Sequence, residues 1–199
     1  MSDSFVEQEF AGPIAILRFC RAAQRNPLSR PTLNRLSELL TKFSQTSPPV
    51  VILTGTDDAF LSGADINELR HLDPEQATEF SKYGQALTNT LANLNAITIA
   101  AINGFCMGGG LDFALACKIR IASQTAVFAH PGARLGIITG WGGTQRLPRI
   151  IGRTRAIELF TTGRRIDAEE ALKIGLVTQV ADPVLEAGID LANRIIATS

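Results

Sequence analysis

Residues 97–122, ITIAAINGFCMGGGLDFALACKIRIA, decide the fold. The run ITIAAI (97–102) is continuous and apolar, the pattern of a strand buried on both faces. GGGLDFALAC (108–117) predicts a helix that starts among glycines. IRIA (119–122) then predicts a further short strand. A strand, a helix and a second strand in direct succession form the unit of a parallel sheet. The whole apolar stretch 96–122 is interrupted by Asn103, the three glycines from Gly108, Asp112 and Lys118. It therefore reads as buried core, because a membrane span needs about 20 uninterrupted apolar residues.

The same pattern continues on either side. VVILT (50–54) is another buried strand, and FLSGADINEL (60–69) leads into a short helix. Asp73-Pro74, a cap followed by a first-turn proline, opens a longer helix to about residue 94. Upstream, residues 4–10 and 14–19 read as a hairpin turning at Gly12-Pro13. Ser29 is placed to cap a helix with Pro31 early in it, and Leu33, Leu36, Leu39 and Leu40 fall at helical spacing. Pro48 and Pro49 end that segment. Downstream, residues 126–129 and 177–180 read as strands, and 142–147, 153–162, 168–174 and 184–197 as helices. This alternation predicts an α/β fold, one domain over residues 1–199, with a final helical segment leaning on a neighbour.

Composition excludes several function classes. The 199 residues suit one domain, large enough to bury roughly 70% of the unfolded surface. Lys plus Arg and Asp plus Glu are both 19, so the formal charge is zero. That argues against a nucleic-acid face or a polybasic membrane anchor. Aromatic residues at 6% argue against stacked single strands. The cysteines, Cys20, Cys106 and Cys117, are odd in number and form no CxxC pair. A reducing, cytoplasmic setting is expected rather than a disulfide framework. His71 and His130 are the only histidines and lie in no Cys/His cluster, so no metal is expected. The segment MSDSFVEQEF is polar and acidic, unlike a signal peptide.

Chemistry is expected at the carboxyl ends of the strands. Two ends stand out, FLSGADI after VVILTG and CMGGGLDFALA after TIAAINGF. Each offers small residues followed at once by a helix. Small side chains let a substrate reach the backbone, and helix N-termini aim free N–H groups outward. Two such donors on one point would make an oxyanion hole. Gly-rich turns also serve close packing alone, and neither GxGxxG nor GxxxxGK[ST] occurs.

Four stretches carry a resemblance. They are FLSGADINEL (60–69), AAINGFCMGGGLDFALACKIRIAS (100–123), FAHPGARLGIITGWGGTQRLPRIIG (128–152) and IELFTTGRRIDAEEALKIGLVTQV (157–180). The chain resembles the crotonase family, the enoyl-CoA hydratases and isomerases. The resemblance implies a crotonase-like spiral of ββα units and a lyase acting on acyl-CoA thioesters in fatty acid metabolism. Coenzyme A would be part of the substrate, with no separate cofactor. It implies that the backbone N–H groups of Ala64 and Gly109 form the oxyanion hole. The loop of Gln24, Arg25 and Pro27 would meet the CoA nucleotide. Ser62, Asp65, Ile66, Pro131, Gly132 and Trp141 would belong to the binding region. Family members usually continue into further C-terminal helices that complete a trimer. The resemblance thus implies a short C-terminal part, with a homotrimer or dimer of trimers if the helices permit.

The chain departs from the family at two acids. Hydratases of the family carry a glutamate two positions after the GGG run, and here that position is Asp112. A second follows the proline of the FxxP stretch, and here Gly132 follows Pro131. A displacement of about 1 Å costs on the order of 10²-fold in rate. Loss of a general acid or base costs about 10²–10⁴-fold. His130 is a candidate stand-in, sharing a face with position 132 if the segment is extended. The competing reading is a hydrogen-bonded histidine of the pocket wall. Trp141 would line the acyl pocket or pack in the core. Asp65 reads as a helix cap, and Cys106 and Cys117 as inert buried thiols. Three readings follow: a hydratase using Asp112 and His130, other thioester chemistry (decarboxylase, hydrolase or isomerase), and an acyl-CoA binder without turnover.

Overall fold

The computed structural model describes residues 5–198. Residues 1–4 and 199 lie outside these, including Ser4 of the expected first strand and part of the polar N-terminal segment.

The chain opens with an antiparallel hairpin, β1 (Val6–Ala11) and β2 (Ile14–Phe19). A 3-10 turn over Ala22–Gln24 leads to β3 (Pro27–Leu28) and α1 (Arg30–Thr46). Ser29 occupies the N-cap of α1, but its hydroxyl meets the Thr32 hydroxyl at 3.0 Å instead of a helix N–H. Leu33, Leu36, Leu39, Leu40 and Phe43 of α1 are buried, each contributing about 1.5–3 kcal/mol.

Three turns of a spiral follow. The first is β4 (Val50–Thr54), β5 (Ala59–Leu61), β6 (Gly63–Ala64), α2 (Ile66–Leu69) and α3 (Pro74–Ala92). A reciprocal capping box between Asp73 and Gln76 starts α3. The second is β7 (Ile97–Ile102), β8 (Phe105–Met107) and α4 (Gly109–Ala116). The third is β9 (Ile119–Ala122), β10 (Val127–Ala129) and a 3-10 turn over Pro131–Leu135. Then come α5 (Gly143–Ile151), α6 (Arg153–Thr162), β11 (Ile166–Asp167), α7 (Ala168–Lys173), β12 (Gln179–Val180) and α8 (Val184–Ala197).

The first strand of each turn joins a six-stranded sheet ordered β1-β2-β4-β7-β9-β12. The second strands form a smaller sheet, β11-β10-β8-β5. Strands β4, β7 and β9 run parallel, and so do β5, β8 and β10. This is the α/β spiral of ββα units that the resemblance implies. Alternate residues explain why β4 and β7 read as unbroken apolar runs. Val51, Leu53, Ala100 and Ile102 enter the main core with α1, α3 and α4. Val50, Ile52, Ile99 and Ala101 face the other way, toward Val184 and Ala192 of α8. The last helix therefore packs one face on the chain's own sheet.

The sheet's spiral places the β5-to-β6 and β8-to-α4 turns side by side, and β6 pairs with β3. The segment after β10 is not extended. Pro131 fixes the backbone at the first position of a 3-10 turn, so the condition for His130 and position 132 to share a strand face is not met. Among the described residues no helix is long and apolar enough to cross a membrane.

Candidate active site

A cavity of about 290 Å³ lies where these turns meet. Ser62, Gly63, Ala64, Gly108 and Gly109 form one side. Ile66, Leu69, Phe80, Ile137 and Ile138 supply apolar walls, and His130, Pro131, Gly132 and Trp141 close the rest. Ile66, Leu135, Ile137 and Ile138 are exposed at the cavity rim.

The two backbone turns are in contact. Gly109 is the first residue of α4, so its N–H has no acceptor inside the helix. The Ala64 nitrogen lies 3.5 Å from where a Cβ on Gly109 would sit. A Cβ on Gly63 would lie 3.1 Å from the Gly109 nitrogen. Side chains here would separate the two strand ends, so glycines are what allow the amides to gather.

Asp112 stands in the first turn of α4 and is wholly buried. It is not among the residues that line the cavity. Its Oδ2 accepts from the Thr139 hydroxyl and, at 3.2 Å, from the Trp141 N–H. Oδ1 has no hydrogen-bond partner among the described residues and lies 3.6 Å from His130 Nε2. Burial pushes the carboxyl up to about 6, against the pull of the Thr139 hydroxyl and the Trp141 amide.

His130 does line the cavity, stands against the Phe160 ring at 4.9 Å, and is 3% exposed. Neither ring nitrogen has a hydrogen-bond partner among the described residues. Burial pulls the imidazole down to about 4. The carboxyl, raised by burial to about 6, is the member of this pair that titrates near neutrality.

The other expected residues divide. Asp65 caps α2, its Oδ1 accepting from the Asn67 N–H at 2.8 Å. Pro27 pairs with Gly63 across β3 and β6. Gln24 ends the first 3-10 turn, and Arg25 follows it with its guanidinium 4.5 Å over the Phe105 ring. Arg165, which sequence reasoning missed, approaches the same ring at 6.0 Å. Thr139 and Gly84 were also missed. Gly84 left a readable signal, a glycine inside a long helix.

Position 132 offers no room for an acid. The 3-10 turn folds Ile137 back, its N–H donating to the Gly132 carbonyl at 3.0 Å. A Cβ on Gly132 would sit 2.6 Å from the Ile137 carbonyl oxygen. The absence of a side chain at Gly132 therefore opens no space, because Ile137 fills it. Gly132→Ala is expected to lose about 1–3 kcal/mol through this overlap. Urea denaturation checks it, and an unchanged midpoint would refute the crowding.

Comparisons with known proteins agree with the fold. The family profile described as enoyl-CoA hydratase/isomerase matches residues 9–199. The chain is 36% identical to a short-chain-enoyl-CoA hydratase of Clostridium acetobutylicum, over 100% of this chain and 77% of the relative. It is 37% identical to a crotonyl-CoA hydratase of Syntrophomonas wolfei, over 92% and 72% respectively. The crystal structure of an enoyl-CoA hydratase from Bacillus anthracis superposes with a TM-score of 0.93 at 38% identity, covering 97% of this chain and 77% of that one.

Proposed function

This chain belongs to the enoyl-CoA hydratase/isomerase family, and from that premise we propose that its cavity adds water across the double bond of a 2-enoyl-CoA. Hydratase-like chemistry on an acyl-CoA thioester is the family function. The finer assignment of roles rests on one observation, the contact of the Ala64 and Gly109 turns beside an unpartnered His130.

In this reading the Ala64 and Gly109 amides donate to the thioester oxygen. As water attacks the β-carbon, the alkene electrons move toward that oxygen and an enolate forms. Each donor aimed at the growing charge is worth about 3–4 kcal/mol. His130 accepts the proton that the attacking water loses, and the imidazolium returns it to the α-carbon as the enolate collapses. Water is added in full and nothing is oxidised. Asp112 stands behind the imidazole and steadies its charged form, without reaching substrate itself. Arg25 and Arg165, gathered on Phe105, are placed to meet a CoA phosphate. No cofactor beyond the substrate's own coenzyme A is invoked. We place the protein in the cytoplasm, a reading supported by the free thiols Cys20, Cys106 and Cys117. Family resemblance supports a homotrimer.

Purified protein mixed with crotonyl-CoA is expected to remove the enoyl absorbance and yield the 3-hydroxyacyl product, and to sediment as a trimer. Clean turnover of another thioester without hydration would favour decarboxylase, hydrolase or isomerase chemistry. Binding with no product from any thioester would leave an acyl-CoA binder. A stable monomer would refute the assembly.

A further inference from the structure

We infer that Trp141 is the stop at the end of the acyl pocket, and that this site takes short-chain acyl-CoA in preference to long-chain acyl-CoA. The inference rests on the cavity being an acyl-CoA site, as proposed above.

The argument starts at two helices. Gly84 lies inside α3 and Gly109 begins α4. A Cβ on Gly84 would fall 2.1 Å from the Trp141 Nε1, and one on Gly109 would fall 2.5 Å from its Cζ3. The indole thus bridges the gap between the helices and touches both backbones. Glycine is disfavoured in a helix interior, and the indole accounts for it at position 84.

The ring is fixed from all sides. Phe80 stands 5.4 Å away at 57°, and Phe113 stands 6.0 Å away at 80°. The Trp141 carbonyl accepts from the Thr88 hydroxyl at 2.9 Å and from Arg146 Nη1 at 3.0 Å. Its N–H donates to Asp112. With the main chain held at both groups and the ring wedged between aromatics, the indole cannot swing aside for a longer substrate. It is 4% exposed and forms part of the cavity wall. The ring therefore fills the gap between α3 and α4, so the cavity does not run on between those helices.

A closed end reverses the usual trend with chain length. In an open apolar channel each added methylene tightens binding about fourfold. A chain that meets a wall gains nothing from further methylenes, because close-packed side chains do not yield to overpacking.

The test is calorimetric binding of butanoyl-CoA and decanoyl-CoA, which carry no double bond to hydrate. Wild type is expected to bind decanoyl-CoA no more tightly than butanoyl-CoA. Trp141→Ala is expected to bind decanoyl-CoA at least about tenfold tighter than butanoyl-CoA. Trp141→Phe keeps an aromatic in the wedge, guards against misfolding of the alanine variant, and is expected to fall between. Wild type that already gains affinity with chain length would overturn the inference. So would folded Trp141→Phe with the wild-type ratio. Crotonyl-CoA hydration by the same preparations reports on the reaction separately: wild type that prefers the short ester yet hydrates nothing would keep the stop and sink the hydratase reading.

Discussion

Asp112→Asn is expected to be more stable than wild type at pH 8, by up to about 3 kcal/mol, while hydration falls on the order of 10²-fold. The stability gain follows from burial. The carboxyl titrates at about 6 in the fold against 3.8 unperturbed. A group raised on folding contributes fully below its unfolded value and loses that contribution as pH rises through the folded value. Above about pH 6 wild type therefore carries the cost of a buried carboxylate. One pKa unit is about 1.4 kcal/mol, which gives the stated limit. Asparagine keeps an oxygen for the Thr139 hydroxyl and the Trp141 N–H, and turns an N–H₂ toward His130. Urea denaturation at pH 8 and at pH 4.5 (roughly between the two values) checks this. The variant's advantage is expected to shrink at the lower pH. A variant less stable than wild type at pH 8 would show that the carboxylate's hydrogen bonds outweigh its desolvation.

His130→Ala is expected to lower kcat about 10²–10⁴-fold, with part of the rate restored by added imidazole. The side chain borders the cavity, so its removal leaves a space that free imidazole can enter. The fold is expected to tolerate the change, since the variant deletes two buried nitrogens that lack partners. Its pH dependence separates it from Asp112. Folding pulls His130 from 6.5 down to about 4, so wild type loses this group's contribution as pH falls between those values. The alanine variant is expected to lose less stability over that range. A rate equal to wild type, or no response to imidazole, would remove His130 from the proton path.

These two residues mark where sequence reading reached and where it stopped. The strands β4, β7 and β9 were legible because both of their faces are buried, which writes unbroken apolar runs into the chain. Helices α1, α3 and α8 announced themselves by apolar spacing, by a proline in the first turn, or by both. The second strands, β5 and β8, are short and owe their existence to neighbours far along the chain, so local pattern could not reveal them. The stand-in reading of His130 is conditional on an extended segment, and the structure has a turn there, in keeping with the turn residues Pro131, Gly132 and Gly136. Recognition of Ala64 and Gly109 came from motifs, and the contact of their turns came from the fold. Nothing in the order of residues told that Ile137 would fill the space beside Gly132, or that Asp112 would lie behind His130. Those facts depend on contacts between distant segments.

The indole at position 141 has one more consequence. It belongs to the chain's single tryptophan, and it stands at the cavity wall between two phenylalanines. The protein therefore carries its own fluorophore where a ligand would arrive. Its emission reports occupancy of the cavity and loss of the surrounding core from one residue, without a label and without background from any other indole.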